Sequence, residues 1–164
     1  MDGLRSPFRF EDVIREAVHS LKYRNIRALA QELALFMAEA LEDGAFAPDL
    51  LVPVPLHPKR LRERGYNQSE LLARSLAKLM RTTVAADALS KVRDTLPQAK
   101  TANVEERRVN VSGAFACVPG SVQDKRVLLV DDVTTTGATL ESCAQELKRS
   151  GAESVWGLTV AREL

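Results

Sequence analysis

A chain of 164 residues fits one domain with one ordinary core, burying roughly 70% of the surface its unfolded form exposes. A net charge of +1 argues against coating nucleic acid through bulk charge and leaves only a local basic patch open. No apolar run approaches the ~18 residues of a membrane span. The start Met1-Asp2-Gly3-Leu4-Arg5 lacks the apolar stretch of a secretory signal. The two cysteines, Cys117 and Cys143, lie 26 positions apart without CxxC spacing. No zinc site and no disulfide framework are therefore expected, and the cytoplasm is the expected compartment.

Val13, Ile14, Ala17, Val18 and Leu21 predict one amphipathic helix. Ile26, Leu29, Ala30, Leu33, Phe36, Met37, Ala40 and Leu41 predict a second, closed by Asp43-Gly44. Asp49 to Pro55 reads as a short buried strand that ends near Pro53, because proline cannot donate to a ladder. Pro55 to Gly65 is expected as a loop dense in positive charge, carrying Lys59, Arg60, Arg62 and Arg64. Its His57, between Pro55 and Pro58, suits a structural role better than acid–base chemistry, and Tyr66 is assigned to the core. Asn67 and Glu70 have capping-box spacing for a helix through Leu71, Leu72, Leu76, Leu79 and Met80.

Thr82 to Leu89 and Val111 to Val118 are expected strands. Between them, Ser90 to Asn110 is polar and weakly periodic; structureless chain of that length is usually a lid, a binding loop or disordered. Arg126-Val127-Leu128-Leu129-Val130-Asp131 is the clearest strand, apolar on both faces as a central parallel strand must be. Leu140, Cys143, Ala144 and Leu147 mark the next helix, stopped by Gly151, and Val155 to Val160 a last strand. The succession predicts an α/β fold with a mostly parallel central sheet flanked by helices.

Open parallel sheets bind ligands beyond the carboxyl ends of their strands. Asp131-Asp132-Val133-Thr134-Thr135-Thr136-Gly137-Ala138-Thr139 occupies that place. Gly137 allows close backbone approach, and the free N–H groups of a helix start, with hydroxyls of Thr135, Thr136 and Thr139, suit a phosphate. Two carboxylates in front of a phosphate cradle would repel it unless the ligand has a polyhydroxylated middle, whose vicinal diol they can accept from. Adjacent strand residues point to opposite faces, so both acids reach one sugar only if the strand bends at Asp132. Nucleotide hydrolases also place acids after an apolar strand, but no GxxxxGK[ST] loop lies upstream.

The run Val127 to Thr139 resembles the 5-phosphoribosyl 1-pyrophosphate (PRPP) signature of type I phosphoribosyltransferases, with Thr134 where that signature usually has an aliphatic residue. Pro53-Val54-Pro55-Leu56-His57-Pro58-Lys59-Arg60, Arg64-Gly65-Tyr66-Asn67-Gln68, Gln98 and Arg107-Arg108-Val109-Asn110-Val111 narrow the resemblance to the ComF/GntX competence-associated family. Members of that family usually begin with a cysteine-rich zinc module, and this sequence has no CxxC.

The resemblance implies a type I phosphoribosyltransferase-like domain over residues 1–164, with 1–47 as a helical hood and 48–164 as the PRPP-binding core. It implies that Asp131 and Asp132 are catalytic and that Asp131 to Thr139 hold ribose and 5-phosphate. Pyrophosphate would fall to Pro55, Leu56, His57, Lys59, Arg60 and Arg64, and the flexible closing loop would carry Gln98, Arg107 and Arg108. Mg²⁺ would arrive with PRPP, and phosphoribosyl transfer to a nitrogen acceptor would release pyrophosphate. The alternative is a PRPP-sensing or single-stranded-DNA-handling partner of competence proteins, without turnover. The resemblance also implies a homodimer as an assembly, since type I relatives often dimerise. None of these residues names the acceptor.

Overall fold

The computed structural model describes residues 1–41, 44, 46–94 and 113–163. The elements, in chain order, are β1 (Gly3–Arg5), β2 (Phe8–Arg9), α1 (Asp12–Tyr23), α2 (Leu29–Glu39), β3 (Leu50–Pro53), α3 (Pro58–Arg64) and α4 (Gln68–Met80). There follow β4 (Thr83–Val84), β5 (Leu89–Lys91), β6 (Phe115–Cys117), β7 (Arg126–Thr134), α5 (Ala138–Arg149) and β8 (Ser154–Arg162). Six strands form a parallel sheet in the order β1-β8-β7-β3-β4, with β2 also on β8. β5 and β6 make a separate antiparallel pair.

The two longest strands, β7 and β8, sit at the centre because their apolar runs can be covered on both sides. On one face Leu128, Val130, Leu158 and Val160 pack under α1, α2 and α4 through Val18, Leu21, Leu33, Met37, Leu72 and Leu76. On the other, Val127, Leu129 and Val155 meet Leu140, Cys143 and Leu147 of α5 and the β5–β6 pair through Leu89 and Phe115. Each fully buried leucine contributes roughly 1.5–3 kcal/mol. Pro53 is tolerated because it is the last residue of β3, and β4 pairs only as far as Leu51.

Several expectations are corrected. Val13 is exposed, so the buried stripe of α1 is narrower and turns toward Lys22. α2 starts at Leu29, leaving Ile26 outside it and exposed. Thr82 to Leu89 is not one strand; the chain leaves β4 at Val84 and enters a different sheet at Leu89. The described part of the strand expected at 111–118 is Phe115–Cys117. The stretch expected as a basic loop folds largely into α3, for reasons given below.

Candidate functional site

β7 carries Asp131 and Asp132 to the carboxyl edge of the sheet, beside the C-terminal ends of β3 and β8. The strand does not stop at the acids: its ladder with β8 passes from Asp131–Thr159 to Val133–Ala161 and Thr134–Arg162. Val133 nevertheless packs into the same apolar cluster as Leu128 and Val130, so strict alternation breaks at the acids although the strand continues. Both carboxylates are buried, at 9% and 3% exposure, and each is held by a different helix. Ser69 Oγ, near the start of α4, donates to Asp131 Oδ1 at 2.7 Å, and the same oxygen accepts from Asp132 N at 2.9 Å. Asp132 Oδ1 accepts from Val133 N at 2.6 Å, while its Oδ2 lies 2.8 Å from Lys22 Nζ at the end of α1. That last contact is a close ion pair, so the buried Asp132 Oδ2 has the Lys22 ammonium as its partner.

The electrostatics follow from that packing. Burial, reinforced by the charge of Asp132, pushes the Asp131 carboxyl up to about 7, against the opposing pull of Ser69, the Asp132 amide and Lys22. Burial also works against the Lys22 ammonium, but the attraction and proximity of Asp132, with Asp131 behind it, outweigh it and hold the lysine above its ordinary value. Near neutral pH the site is thus one acid poised to hold or release its proton beside a second with a fixed counter-ion.

The rest of the nine-residue stretch divides into strand, turn and helix. Thr134 is the buried last residue of β7, its carbonyl accepting from Glu163 N at 2.9 Å, and so belongs to the strand and not to the loop. Thr136 is exposed, and its Oγ1 accepts from Ala138 N at 3.4 Å. Gly137, at φ 79°, is the N-cap of α5, and its carbonyl accepts from Glu141 N at 2.8 Å. A left-handed residue there turns the chain sharply from strand to helix, which is why the position needs glycine. Ala138 is buried under the turn, and Val133, Thr135 and Thr139 are half-buried around it.

The basic segment is a helix because its ends are well made. His57 is the N-cap of α3, with Nδ1 accepting from Lys59 N at 3.3 Å; Pro58 follows at the first helical position, and Gly65 at φ 84° closes it. Between them, Lys-Arg-Leu-Arg-Glu-Arg are straight-chain helix formers. The helix separates the four cations. Lys59 and Arg60, with His57, lie 3.9–4.0 Å from Asp94. Arg64 turns the other way, donating to Gln68 Oε1 with its guanidinium 5.4 Å from the Tyr23 ring, and Arg62 is exposed. Pro55 and Leu56 form the half-buried link between β3 and α3. Asn67 ties this corner to the sheet by donating to Val54 O at 3.0 Å and capping Ser69 N at 3.0 Å. Glu70 does not complete a capping box, because it pairs with Arg74. Tyr66 is in the core, its hydroxyl donating to Leu21 O. Gln98, Arg107 and Arg108 lie outside the described residues.

Reasoning from sequence missed Lys22 and Ser69. The signal for Lys22 was present: it stands four residues after Val18, on the stripe of Ile14, Ala17, Val18 and Leu21, where an apolar residue is expected. Ser69 resembles any first-turn serine, and only the fold brings it to Asp131.

The phosphoribosyl transferase domain model matches residues 19–163. The chain belongs to that family. It is 36% identical over 152 residues to the DNA utilization protein YhgH of Salmonella typhimurium, covering 90% of this chain and 66% of that one. It is 35% identical over 140 residues to competence protein F of Haemophilus influenzae, covering 82% and 61%. It is 30% identical over 163 residues to competence protein ComFC of Bacillus subtilis, covering 96% and 63%. The chain thus spans just under two thirds of these relatives' length. Among solved structures, the glutamine PRPP amidotransferase from Bacillus subtilis, complexed with ADP and GMP, aligns with a TM-score of 0.52 at 21% identity. That alignment covers 85% of this chain and 26% of that one. The adenine phosphoribosyltransferase of Thermoanaerobacter pseudethanolicus aligns at 0.50 and 15% identity, covering 82% of each chain. The fold is that of the type I phosphoribosyltransferases. Among the described residues no helix is long and apolar enough to cross a membrane.

Proposed function

We propose that the chain binds PRPP and transfers its phosphoribosyl group to a nitrogen acceptor, releasing pyrophosphate. The observation that carries this reading is the end of β7: two buried acids, one of them paired with Lys22, followed two residues later by a Thr-Thr-Gly turn that opens α5. The acids accept from the ribose diol, and the turn and helix start take the 5-phosphate. The C1–oxygen bond to pyrophosphate breaks with its electron pair leaving on the diphosphate. The acceptor nitrogen supplies the pair for the new bond and gives up its proton. Positive charge develops on the ribose in between, and the carboxylates favour it.

Lys22 keeps the pair of acids from carrying two uncompensated charges beside an anionic ligand. Lys59 and Arg60 are the cations of α3 grouped around a single carboxylate, that of Asp94, and so the pair best placed to share a diphosphate. Mg²⁺, bound with the diphosphate, would neutralise the leaving group. Among the described residues no cluster of three or more ligating side chains forms a cation cage.

The test is calorimetric titration of PRPP with Mg²⁺ into the wild type and Asp131→Asn/Asp132→Asn, followed by a screen of nitrogen acceptors for pyrophosphate release. Saturable binding lost in the double variant is expected. A folded wild type that binds no PRPP refutes the reading. The names of the relatives favour a second reading, a PRPP-binding partner in DNA handling without turnover. Binding with no pyrophosphate from any acceptor would select it.

A further inference from the structure

Arg9 and Arg162 are ladder partners on adjacent parallel strands, β2 and β8, at the carboxyl edge of the sheet. Neighbouring strands lie about 4.8 Å apart, and paired residues point to the same side, so two guanidinium groups rise next to each other. Both are exposed, and neither side chain has a hydrogen-bond or ion-pair partner among the described residues. Like charges placed directly opposite on a sheet are destabilising. The other arginines on this part of the chain are engaged: Arg5 reaches Ala40 O and the Trp156 ring, and Arg15 reaches Phe10.

The two arginines border a cavity of about 310 Å³, whose remaining lining is Leu4, Ser6, Pro7 and Phe8. That volume is at the small end for ligand sites, larger than one phosphate and suited to a phosphate with an attached sugar. The Ser6 hydroxyl is fixed against Thr159 Oγ1 at 2.6 Å, so the arginines are the uncommitted side-chain donors of the lining. Paired guanidinium forks match phosphate oxygens in bidentate fashion. The cavity is also outside the carboxyl ends of parallel strands, where such sheets take ligands. It lies beyond Thr134, across the Thr134–Arg162 pair, and shares no residue with the Asp131–Thr139 stretch.

We infer that Arg9 and Arg162 form a second anion site, for the phosphate of a nucleotide-type ester, separate from the turn after β7. The ester comes either from a free mononucleotide or from an oligonucleotide backbone. The site does not depend on the PRPP reading.

The experiment titrates thymidine 5′-monophosphate by calorimetry, and a fluorescent ten-nucleotide oligothymidylate by anisotropy, into three proteins: the wild type, Arg9→Gln/Arg162→Gln, and Asp131→Asn/Asp132→Asn. Binding should weaken at least tenfold in the arginine variant and persist in the aspartate variant. For the oligonucleotide, the slope of log affinity against log salt should become shallower by about 1. Because substitution relieves a like-charge pair, the arginine variant should unfold no earlier than the wild type, so loss of binding reports on the site. Comparable affinity for both probes assigns the site to free nucleotides, and binding of the oligonucleotide alone assigns it to a nucleic-acid backbone. Unchanged affinity in the arginine variant, or no binding of either probe to the wild type, overturns the proposal. Loss only in the aspartate variant would move the anion to the turn after β7 and leave the PRPP reading standing.

Discussion

Replacing Asp131 with asparagine should make the ligand-free protein more stable while removing its proposed ligand affinity. Both hydrogen bonds to the Asp131 carboxylate, from Ser69 Oγ and from the Asp132 amide, fall on Oδ1. An asparagine Oδ1 accepts both, so the substitution removes the charge and keeps the local hydrogen bonds. A carboxyl that titrates near 7 in the fold and at 3.8 when free costs the folded state on the order of 4 kcal/mol above neutral pH, at about 1.4 kcal/mol per tenfold. Part of this is returned, because burying the new amide nitrogen costs about 1–3 kcal/mol. The net gain is about 2 kcal/mol at pH 8, or roughly 4–8 °C in Tm for a chain of this size. The sign also has a pH signature. Between pH 4 and 7 the unfolded state has lost this proton and the folded state has kept it, so wild-type stability falls as pH rises through that window. Asp131→Asn should flatten that slope. Trp156, the single tryptophan, lies in β8 stacked on Phe46, and its fluorescence follows unfolding in urea at a series of pH values. A variant no more stable than wild type at pH 8, or one that keeps the slope, would refute the argument.

Three further outcomes test the neighbours of the acids. Lys22→Met strands the buried Asp132 carboxylate and should cost about 3 kcal/mol or more, of which Lys22→Met/Asp132→Asn recovers most; additive losses in urea unfolding would show that the ion pair is incidental. Ser69→Ala should cost about 1–2 kcal/mol and move the Asp131 titration above 7, as read from carboxyl carbon chemical shifts; an unmoved titration would remove Ser69 from the site. Gly137→Ala meets open space but must hold φ near 79°, so it should cost about 1 kcal/mol through backbone strain alone. It should also weaken PRPP binding, and an unchanged denaturation midpoint would count against a left-handed cap.

The central sheet was legible because β7 and β8 are apolar on both faces, and the helices beside it because their stripes have a 3.6-residue period. The strand ends were less so: Thr134 reads as loop from its hydroxyl and is held in the ladder by Arg162 and Glu163, which are distant in sequence. α3 was hidden because charge density suggested a solvated loop, although His57-Pro58 and Gly65 are sound start and stop signals. β1 and β2 were not predicted, since two or three residues carry no readable alternation, and they exist only because β8 offers an edge. For the site, the acids and the turn were legible as a local string. Their supports were not, because Lys22 and Ser69 come from helices 110 and 62 positions away in sequence.

The same stubs set how the molecule can meet others. Among the described residues, the outer positions of the large sheet are held by strands of two or three residues, β1 and β2 on one side and β4 on the other. So little free ladder leaves another polypeptide almost no backbone to zip onto, which protects the sheet from strand-by-strand polymerisation. Among the described residues, contacts made at the edges of the large sheet must therefore be written in side chains, where a single substitution can rewrite them.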